Sequence, residues 1–195
     1  MCLVTKQIEP QIATEDITCY KVIRKNMTSL YYKEFKWEFG KVYDTLIEQD
    51  KDEFDTITIH RAFHSYESLD ELRQAYFITA QPCMTVKCTI PKGSKVYKGK
   101  HSDIDGYASN QLIINEVIDV KALFPDFNWT EYPYKEGQII TISELDEETK
   151  NCKIENIQPS LYDNSVAYLI LSNKTRNILV QTNTKGNIIK YYKRP

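Results

Sequence analysis

The sequence predicts a strand-dominated α+β fold: a mostly antiparallel curved sheet, one main helix and a C-terminal β meander. Three observations lead to this prediction. Fourteen tyrosines raise the aromatic content to 12% and, with many Ile, Val and Thr residues, favour β structure. A single segment, residues 69–78, combines a helix cap with helical spacing of apolar residues. Alternating apolar segments separated by Asn- and Gly-containing turns fill the end of the chain.

Length and composition set the domain organisation. The 195 residues, 42% hydrophobic and 27% charged, suit one soluble globular domain or one domain with a small appendage. We expect an α+β domain over 1–120 and a β-rich extension over 121–195 packed on it, with one continuous domain as the alternative. The net charge of −2 argues against a general nucleic-acid binder, which carries a strong basic excess.

The lengths of the apolar segments and the pattern of cysteines predict the cellular compartment. No run approaches the roughly 20 apolar residues that span a bilayer, and the first residues lack the basic start and apolar core of a secretory signal. These features predict a cytoplasmic protein without a membrane partner. The five cysteines include no CxxC pair, so neither a disulfide framework nor a zinc site is predicted. Loss of Met1 would make Cys2 a candidate N-terminal nucleophile, but a packed or inert thiol is the simpler interpretation.

The first half of the chain alternates between strand-like and charged segments. Residues 1–16 read as an extended arm, 17–23 as a strand, and 30–47 as an extended segment of aromatic residues alternating with charges. The charged residues 48–55 read as a solvated loop. A strand from Ile57 carries His60, Arg61 and His64 near its end; in an extended chain the two histidines share a face. Ser68 and Glu71 form a capping box for the helix predicted over 69–78.

The second half contains the candidate binding surface. After a strand over 84–90, a Pro-Lys-Gly turn leads into a short strand and a polar, lysine-rich loop around Tyr97, and a second apolar strand carries Glu116. Charge, backbone N–H groups and ring stacking in that loop would suit a phosphate or an adenine ring, and a solvated basic turn is the alternative. The aromatic segment after residue 120 reads as an ordered crossing segment, and strands near 165–172, 177–183 and 188–192 form the meander.

A first group of motifs, spread over several segments, resembles one known family. The sequence KWEFGKVY contains Phe39-Gly40-Lys41-Val42-Tyr43, and HRAFHSYESLDEL contains Ala62-Phe63-His64-Ser65. With KCTIPKGSKVYKG and YASNQLIINEVI, they resemble a family of uncharacterised domains in bacteriophages and prophages. The resemblance covers roughly 17–120. It implies a phage-type protein acting in the host cytosol, and it implies no particular activity.

A second group resembles ADP-ribosyltransferases of the arginine-serine-glutamate type. Arg61, Ser109 and Glu116 can be laid over the three residues that name this type, and TIPKGSKVYKG followed by NEVI is similar to a passage of those enzymes. This resemblance implies NAD as cosubstrate and catalytic roles for the three residues. Ile114 stands two positions before Glu116, where those enzymes have Glu or Gln.

From these observations we expect a non-catalytic phage-type protein that captures a small anionic ligand, with a nucleotide signal of host defence as the leading candidate, without a cofactor or metal. The alternatives are an ADP-ribosyltransferase-like enzyme that uses NAD, and an interaction module for a host or phage protein; a homo-oligomer is compatible with each. A guanidinium binds phosphate in a bidentate way, which makes Arg61 a candidate. The predicted ligand-binding residues are Arg61, His64, Lys92, Lys95, Tyr97, Lys98, Tyr107 and Ser109.

Overall fold

Strands dominate the structure. The computed structural model describes residues 2–32, 34–76, 82–142, 151–160, 163, 165–172 and 177–193. Strands account for 54% of the described residues and helices for 7%, and the sheets are antiparallel and curved. The prediction of a strand-dominated antiparallel protein is therefore confirmed, whereas the α+β label holds only roughly because so little of the chain is helical. The described residues fall into two compact units, with 2–76 and 84–119 in unit 1 and 82–83 and 120–193 in unit 2.

Unit 1 is built on an 11-stranded sheet. Its strands are β1 (Leu3–Thr5), β2 (Gln11–Ile12), β3 (Ile17–Arg24), β4 (Val42–Asp44), β5 (Glu48–Lys51), β6 (Ile57–Arg61), β7 (Phe63–Tyr66), β8 (Cys83–Ile90), β9 (Lys95–His101), β10 (Ile104–Ser109) and β11 (Gln111–Ile118). Their spatial order is β4-β11-β8-β3-β7-β10-β9-β1-β6-β5, and β2 pairs with β9 off this path. Most neighbours in the sheet are distant in sequence, so the sheet gathers side chains from the whole unit.

Both faces of the unit 1 sheet bury apolar side chains. Val96 and Tyr97 are consecutive in β9 and therefore point to opposite faces, yet both are buried. Val96 belongs to a cluster with Trp37, Phe63, Ile114 and others, while Tyr97 packs with Leu3 and Ile59. The short strand predicted after the Pro-Lys-Gly turn is present as β9 (Lys95–His101). This strand includes Tyr97, Lys98 and Lys100, so these residues do not lie in the predicted polar loop.

Helix α1 (Leu69–Tyr76) begins where the capping box predicts. The Ser68 hydroxyl accepts hydrogen bonds from the backbone N–H groups of Asp70 and Glu71 at 3.2 and 3.3 Å, and it also contacts the Glu71 carboxylate. These contacts satisfy two of the N–H groups that the first turn leaves without helical partners. The last part of the predicted helix, from residue 77 to 78, lies outside the described residues.

Two predicted segments of unit 1 differ from the observed structure. The charged residues 48–51 form the edge strand β5 rather than a loop, because β6 supplies a pairing partner while all four side chains stay exposed. The aromatic segment 30–39 makes isolated bridges at Lys36 and Phe39 instead of a long strand. Trp37 is buried there, whereas Tyr32 and Phe39 are exposed, so period-two alternation does not describe the segment.

Ala62 divides the predicted strand over 57–66 into two. The part before it, β6, pairs with β1 and β5, and the part after it, β7, pairs with β10 and β3. His60 and His64 therefore lie on different strands of the sheet. The predicted shared face for these histidines is wrong because the chain bends at Ala62.

Unit 2 is a meander of five antiparallel strands in chain order. They are β12 (Ile139–Thr141), β13 (Asn151–Pro159), β14 (Val166–Ser172), β15 (Asn177–Asn183) and β16 (Ile188–Lys193), preceded by the short helix α2 (Val120–Leu123). The predicted C-terminal meander is confirmed, and Gly186 adopts the positive φ of 83° that its hairpin turn requires. The predicted turn over 173–177 lies largely outside the described residues. The central strand β14 is buried on both faces, with Leu169, Ile170 and Leu171 fully buried.

Candidate functional site

The candidate site of unit 1 lies on the outer face of three adjacent strands, β9, β1 and β6. Leu3 and Thr5 are buried, while Val4 between them is 42% exposed, as expected for a strand with one buried face. Val4 is paired with Lys100 of β9 and with Thr58 of β6. Directly opposed residues of paired strands share a face, so these three side chains form one row across the sheet.

A glycine allows β1 and β9 to approach closely. A Cβ atom at Gly99 would lie 2.4 Å from the Val4 carbonyl oxygen and 2.9 Å from the Thr5 Cβ. Any other residue would therefore push the two strands apart. The Thr5 hydroxyl crosses the same junction and donates a 2.7 Å hydrogen bond to the Lys98 carbonyl oxygen. These contacts fix the backbone beside the exposed row.

An open groove of about 470 Å³ follows this junction. We call it the lysine groove, because three of its nine residues are lysines. It is lined by Val4, Thr5, Lys6, Thr56, Lys98, Gly99, Lys100, Ser102 and Asp105. Its volume falls in the range of about 300–1,000 Å³ that small-molecule sites occupy.

The charges around the lysine groove favour an anion. Lys100 lies 3.1 Å from the Asp105 carboxylate and also donates to the Asp103 carbonyl oxygen at 3.3 Å. Lys98 lies 2.6 Å from the Glu67 carboxylate. Lys6 makes no ion pair with any residue in the described parts of the chain. Three cations against two carboxylates leave an excess of one positive charge.

Lys98 and Tyr107 are the two predicted ligand-binding residues that the structure brings together. The Lys98 ammonium lies 5.9 Å from the centre of the Tyr107 ring, within reach of a cation–π contact. The hydrogen bond from Lys98 to Glu67 raises the pKa of the Lys98 ammonium, so Lys98 stays charged at neutral pH. Burial raises the pKa of the Tyr107 phenol, which stays neutral.

Three other predicted ligand-binding residues lie elsewhere in unit 1. Tyr97 is 2% exposed and packs in the core on the face opposite Lys98. Lys92 is exposed in the turn between β8 and β9, and Lys95 is exposed at the first position of β9. The Lys92 backbone N–H donates to the Asp16 side chain, and that of Lys95 donates to the Asn110 side chain. None of the three lines the lysine groove. Lys6 was missed because the arm was predicted as a whole; the alternation Leu3, Val4, Thr5, Lys6 is the signal that points to it.

His64 lies in a buried aromatic group. Its ring centre is 5.1 Å from that of His101, and the Tyr66 ring contacts His101 from another side. Burial, followed by the charge of Lys21 and by His101, lowers the pKa of His64 to about 3. His64 is therefore neutral at physiological pH and cannot attract an anion by charge. Its backbone carbonyl oxygen accepts a 2.5 Å hydrogen bond from the Lys21 ammonium.

Arg61, Ser109 and Glu116 do not form one site. The Arg61 guanidinium is exposed and binds Glu48 at 2.8 Å. Glu116 is exposed on β11 and lies 3.5 Å from the Lys87 ammonium. Ser109 is fully buried, and its hydroxyl donates to the Gln111 carbonyl oxygen at 2.7 Å. In the sheet, six strands separate β6, which carries Arg61, from β11, which carries Glu116.

The core beneath β3 contains a cation that the sequence did not point to. Lys21 follows Cys19 on the same face of β3, and its ammonium lies 5.7 Å from the centre of the Trp37 ring. Burial lowers the pKa of the Lys21 ammonium, and the neighbouring Cys88 and Cys19 thiols act in the opposite direction. The His64 carbonyl and the Trp37 ring compensate the desolvated charge, which makes Lys21 a structural element of this core.

Within the described ranges, no group of three or more His, Cys, Asp or Glu side chains is placed to hold a metal ion. None of the described helices has both the length and the apolar character needed to cross a membrane. No protein-family model matches this chain, and no curated protein and no solved structure matches it. The case for function therefore depends on the geometry of unit 1.

Proposed function

We propose that unit 1 captures a small anionic ligand in the lysine groove, with nucleotides as the leading class. The observation that carries this proposal is the convergence of Lys6, Lys98 and Lys100 on one open groove. Lysine ammonium groups are compact charges with three donors each, and they bind phosphate groups without requiring a fixed planar geometry.

The three lysines contribute in different ways. Lys98 and Lys100 are held by Glu67 and Asp105, so less side-chain entropy is lost when an anion approaches them. Their charges are partly balanced by those carboxylates. Lys6 is unpaired within the described residues and supplies the excess charge. We therefore expect Lys6 to contribute most to the attraction of the anion.

The class of ligand follows from the size of the groove and from the resemblance to phage domains. A volume of about 470 Å³ suits a compound the size of a nucleotide. The hydroxyls of Thr56 and Ser102 provide uncharged hydrogen-bonding groups beside the lysines. A phage-type protein that sequesters a nucleotide signal of host defence in the cytosol fits these features. The proposal concerns capture and requires no cofactor.

Thermal denaturation with a ligand panel tests this proposal. The panel contains linear and cyclic nucleotides, NAD, pyrophosphate and inorganic phosphate. A ligand present at 100 times its dissociation constant stabilises the folded state by about 2.7 kcal/mol, which raises Tm by several degrees in a protein of this size. We expect a shift with at least one phosphorylated compound, and we expect Lys6→Gln to remove most of it.

Lys92→Gln is the matched control, because it removes an exposed lysine of unit 1 outside the groove. The proposal fails if no compound shifts Tm, or if Lys92→Gln removes the shift while Lys6→Gln keeps it. The first result would favour an interaction module for a host protein. Release of nicotinamide from NAD would instead favour the ADP-ribosyltransferase-like alternative.

A further inference from the structure

A cysteine, a histidine and an aspartate form a chain of contacts at the end of β1. The Cys2 sulfur lies 3.8 Å from Nδ1 of His60, and Nε2 of His60 lies 2.7 Å from the Asp50 carboxylate. Cys2 is exposed, whereas Cys19, Cys83, Cys88 and Cys152 are buried. One thiol of the described chain is therefore both accessible and in contact with a base.

The register of the sheet produces this arrangement. Leu3 is paired with Ile59, so Cys2, one residue earlier on the antiparallel strand, stands opposite His60. Asp50 is paired with Thr58, two residues from His60 on the same face of β6. The three side chains thus come from three neighbouring strands and project from one face.

His101 holds the backbone of Cys2 in place. Its Nδ1 lies 3.2 Å from the Cys2 carbonyl oxygen, which can only accept a hydrogen bond, so Nδ1 carries the proton. His101 is 2% exposed, and burial lowers its pKa, so the ring is neutral at physiological pH. A buried side chain thereby fixes the residue that carries the thiol.

We propose that Cys2, His60 and Asp50 form a nucleophilic thiol site that transfers the acyl group of a small ester or acyl phosphate to water. In this assignment Cys2 is the nucleophile and His60 the general base. Asp50 is a positioning residue that orients the imidazole and stabilises its protonated form. A nucleophile in contact with a base that a third group orients is the arrangement that activates thiols and hydroxyls in acyl transfer. The 3.8 Å contact shortens when substrate binds, as such contacts commonly do.

The reaction balances with water as the second substrate. His60 takes the thiol proton while the Cys2 sulfur bonds to the acyl carbon, and the bond from that carbon to the leaving oxygen breaks. The imidazolium gives its proton to the leaving group, which leaves a thioester on Cys2. Water then attacks the thioester and gives one proton to His60, and the acid departs as that proton returns to the sulfur.

The lysine groove begins next to this site. Cys2, Val4 and Lys6 alternate with the buried Leu3 and Thr5, so the thiol and the groove lie on the same face of the sheet. An acyl donor with a phosphate group would place that group among the lysines and its acyl carbon near the thiol. This preference for anionic acyl donors rests on the proposed function, whereas the thiol chemistry does not.

Acylation of the folded protein tests the proposal. The probes are p-nitrophenyl acetate, which is neutral, and acetyl phosphate, which is anionic. We expect release of p-nitrophenol and one acetyl group on Cys2, located by peptide mass mapping, and Cys2→Ala should abolish both. His60→Gln should slow acylation about 100-fold, the lower end of what a general base contributes. Asp50→Asn should slow it less and should change the pH dependence of the acylation rate without changing Tm.

Glu48→Gln is the matched control, since Glu48 is an exposed carboxylate of the same strand that binds Arg61 instead of His60. It should acylate like the wild type. Equal acylation rates in wild type and His60→Gln, or acetyl groups spread over lysines rather than on Cys2, would overturn the proposal. Lys6→Gln separates the two proposals: if the lysine groove binds the phosphate, the variant loses the faster reaction with acetyl phosphate but keeps the reaction with the neutral ester. If the groove has no role, Lys6→Gln leaves both acylation rates unchanged while the thiol chemistry persists.

Discussion

The two units are both antiparallel sheets, but they pair their strands in different ways. In unit 2 the spatial order β12-β13-β14-β15-β16 is the chain order. In unit 1, β1 lies between β9 and β6, and β7 lies between β3 and β10. A meander assembles a core from neighbouring segments. Long-range pairing also gathers polar side chains that are far apart in sequence, and it is unit 1 that carries the lysine groove and the thiol site.

The largest expected effect on the free energy of unfolding is in unit 2, and it tests how much this unit depends on its buried apolar core. Leu169 is fully buried in the middle of β14, opposite Ile157 on one side and Val180 on the other. Leu169→Ala should lower the free energy of unfolding by about 3 kcal/mol, because it removes buried methyl groups and leaves a cavity. Urea denaturation measures the loss. Ile189→Ala, at an exposed position of β16, should change stability by less than about 0.5 kcal/mol; equal losses would contradict the assigned core.

The next effect tests the junction of strands in unit 1. Gly99→Ala places a Cβ 2.4 Å from the Val4 carbonyl oxygen, so β1 must move away from β9. We expect a loss of about 2 kcal/mol in unfolding free energy, typical of overpacking, together with slower acetylation of Cys2. Gly93→Ala is the control: its φ of 86° also opposes a side chain, but no atom lies within 4 Å. It should lower stability without changing the reactivity of Cys2, and a loss of reactivity in both variants would refute the role of the junction.

The third effect distinguishes the units by pH, because all three histidines precede residue 102 and unit 2 has none. The pKa of His64 is about 3 in the folded protein and 6.5 when unperturbed. Between these values the unfolded chain binds the extra proton, so stability rises with pH and falls on acidification. The slope is about 1.4 kcal/mol per pH unit for one such group. Urea denaturation at pH 6.5 and 5 should show this loss, and His64→Gln should show a smaller one; an unchanged slope in the variant would exclude His64 as the cause.

The smallest expected effect at neutral pH is the loss of stability on removing one buried hydroxyl group of unit 2. The Tyr132 and Thr182 hydroxyls are 2.5 Å apart and buried, and Thr182 also contacts the Ala167 carbonyl oxygen. Tyr132→Phe should cost about 1 kcal/mol at pH 7, because Thr182 keeps its second partner. Burial raises the pKa of Tyr132 to about 12, so wild-type stability should fall between pH 10 and 12, and the variant should lack this part of the fall. Tyr192→Phe, with an exposed ring, is the control and should match the wild type.

Short sequence patterns predicted the parts of the fold that depend on residues close together in the sequence. The capping box at Ser68 and Glu71 placed the start of α1, and alternation with a Gly186 turn predicted the meander. The strand β5 was missed because four exposed polar residues have no apolar pattern, and only pairing with β6 makes them a strand. The bend at Ala62 was missed for a similar reason, since the two halves pair with different partners.

The candidate sites were predicted only in part. Lys98 and Tyr107 were named as ligand-binding residues and do lie together. Lys6 and Asp50 were not named, because what makes them notable is the strand beside them. The contact between Cys2 and His60 joins residues 58 positions apart, and no spacing rule within one segment detects it. Register, which is a tertiary property, decides which polar residues meet.

The position of β1 also sets an order of events in folding. This strand has β9 on one side and β6 on the other, and its contact with β9 joins Val4 to Lys100. During synthesis the N-terminal strand is made first, yet its second edge has no partner until about a hundred residues have followed. At typical elongation rates of about 5–20 residues per second, that interval is about 5–20 seconds. During this interval Leu3 lacks its packing contact with Tyr97, and one edge of β1 has no paired strand. An unpaired strand edge can bind other strands, so we expect chaperones to bind the nascent chain at this segment.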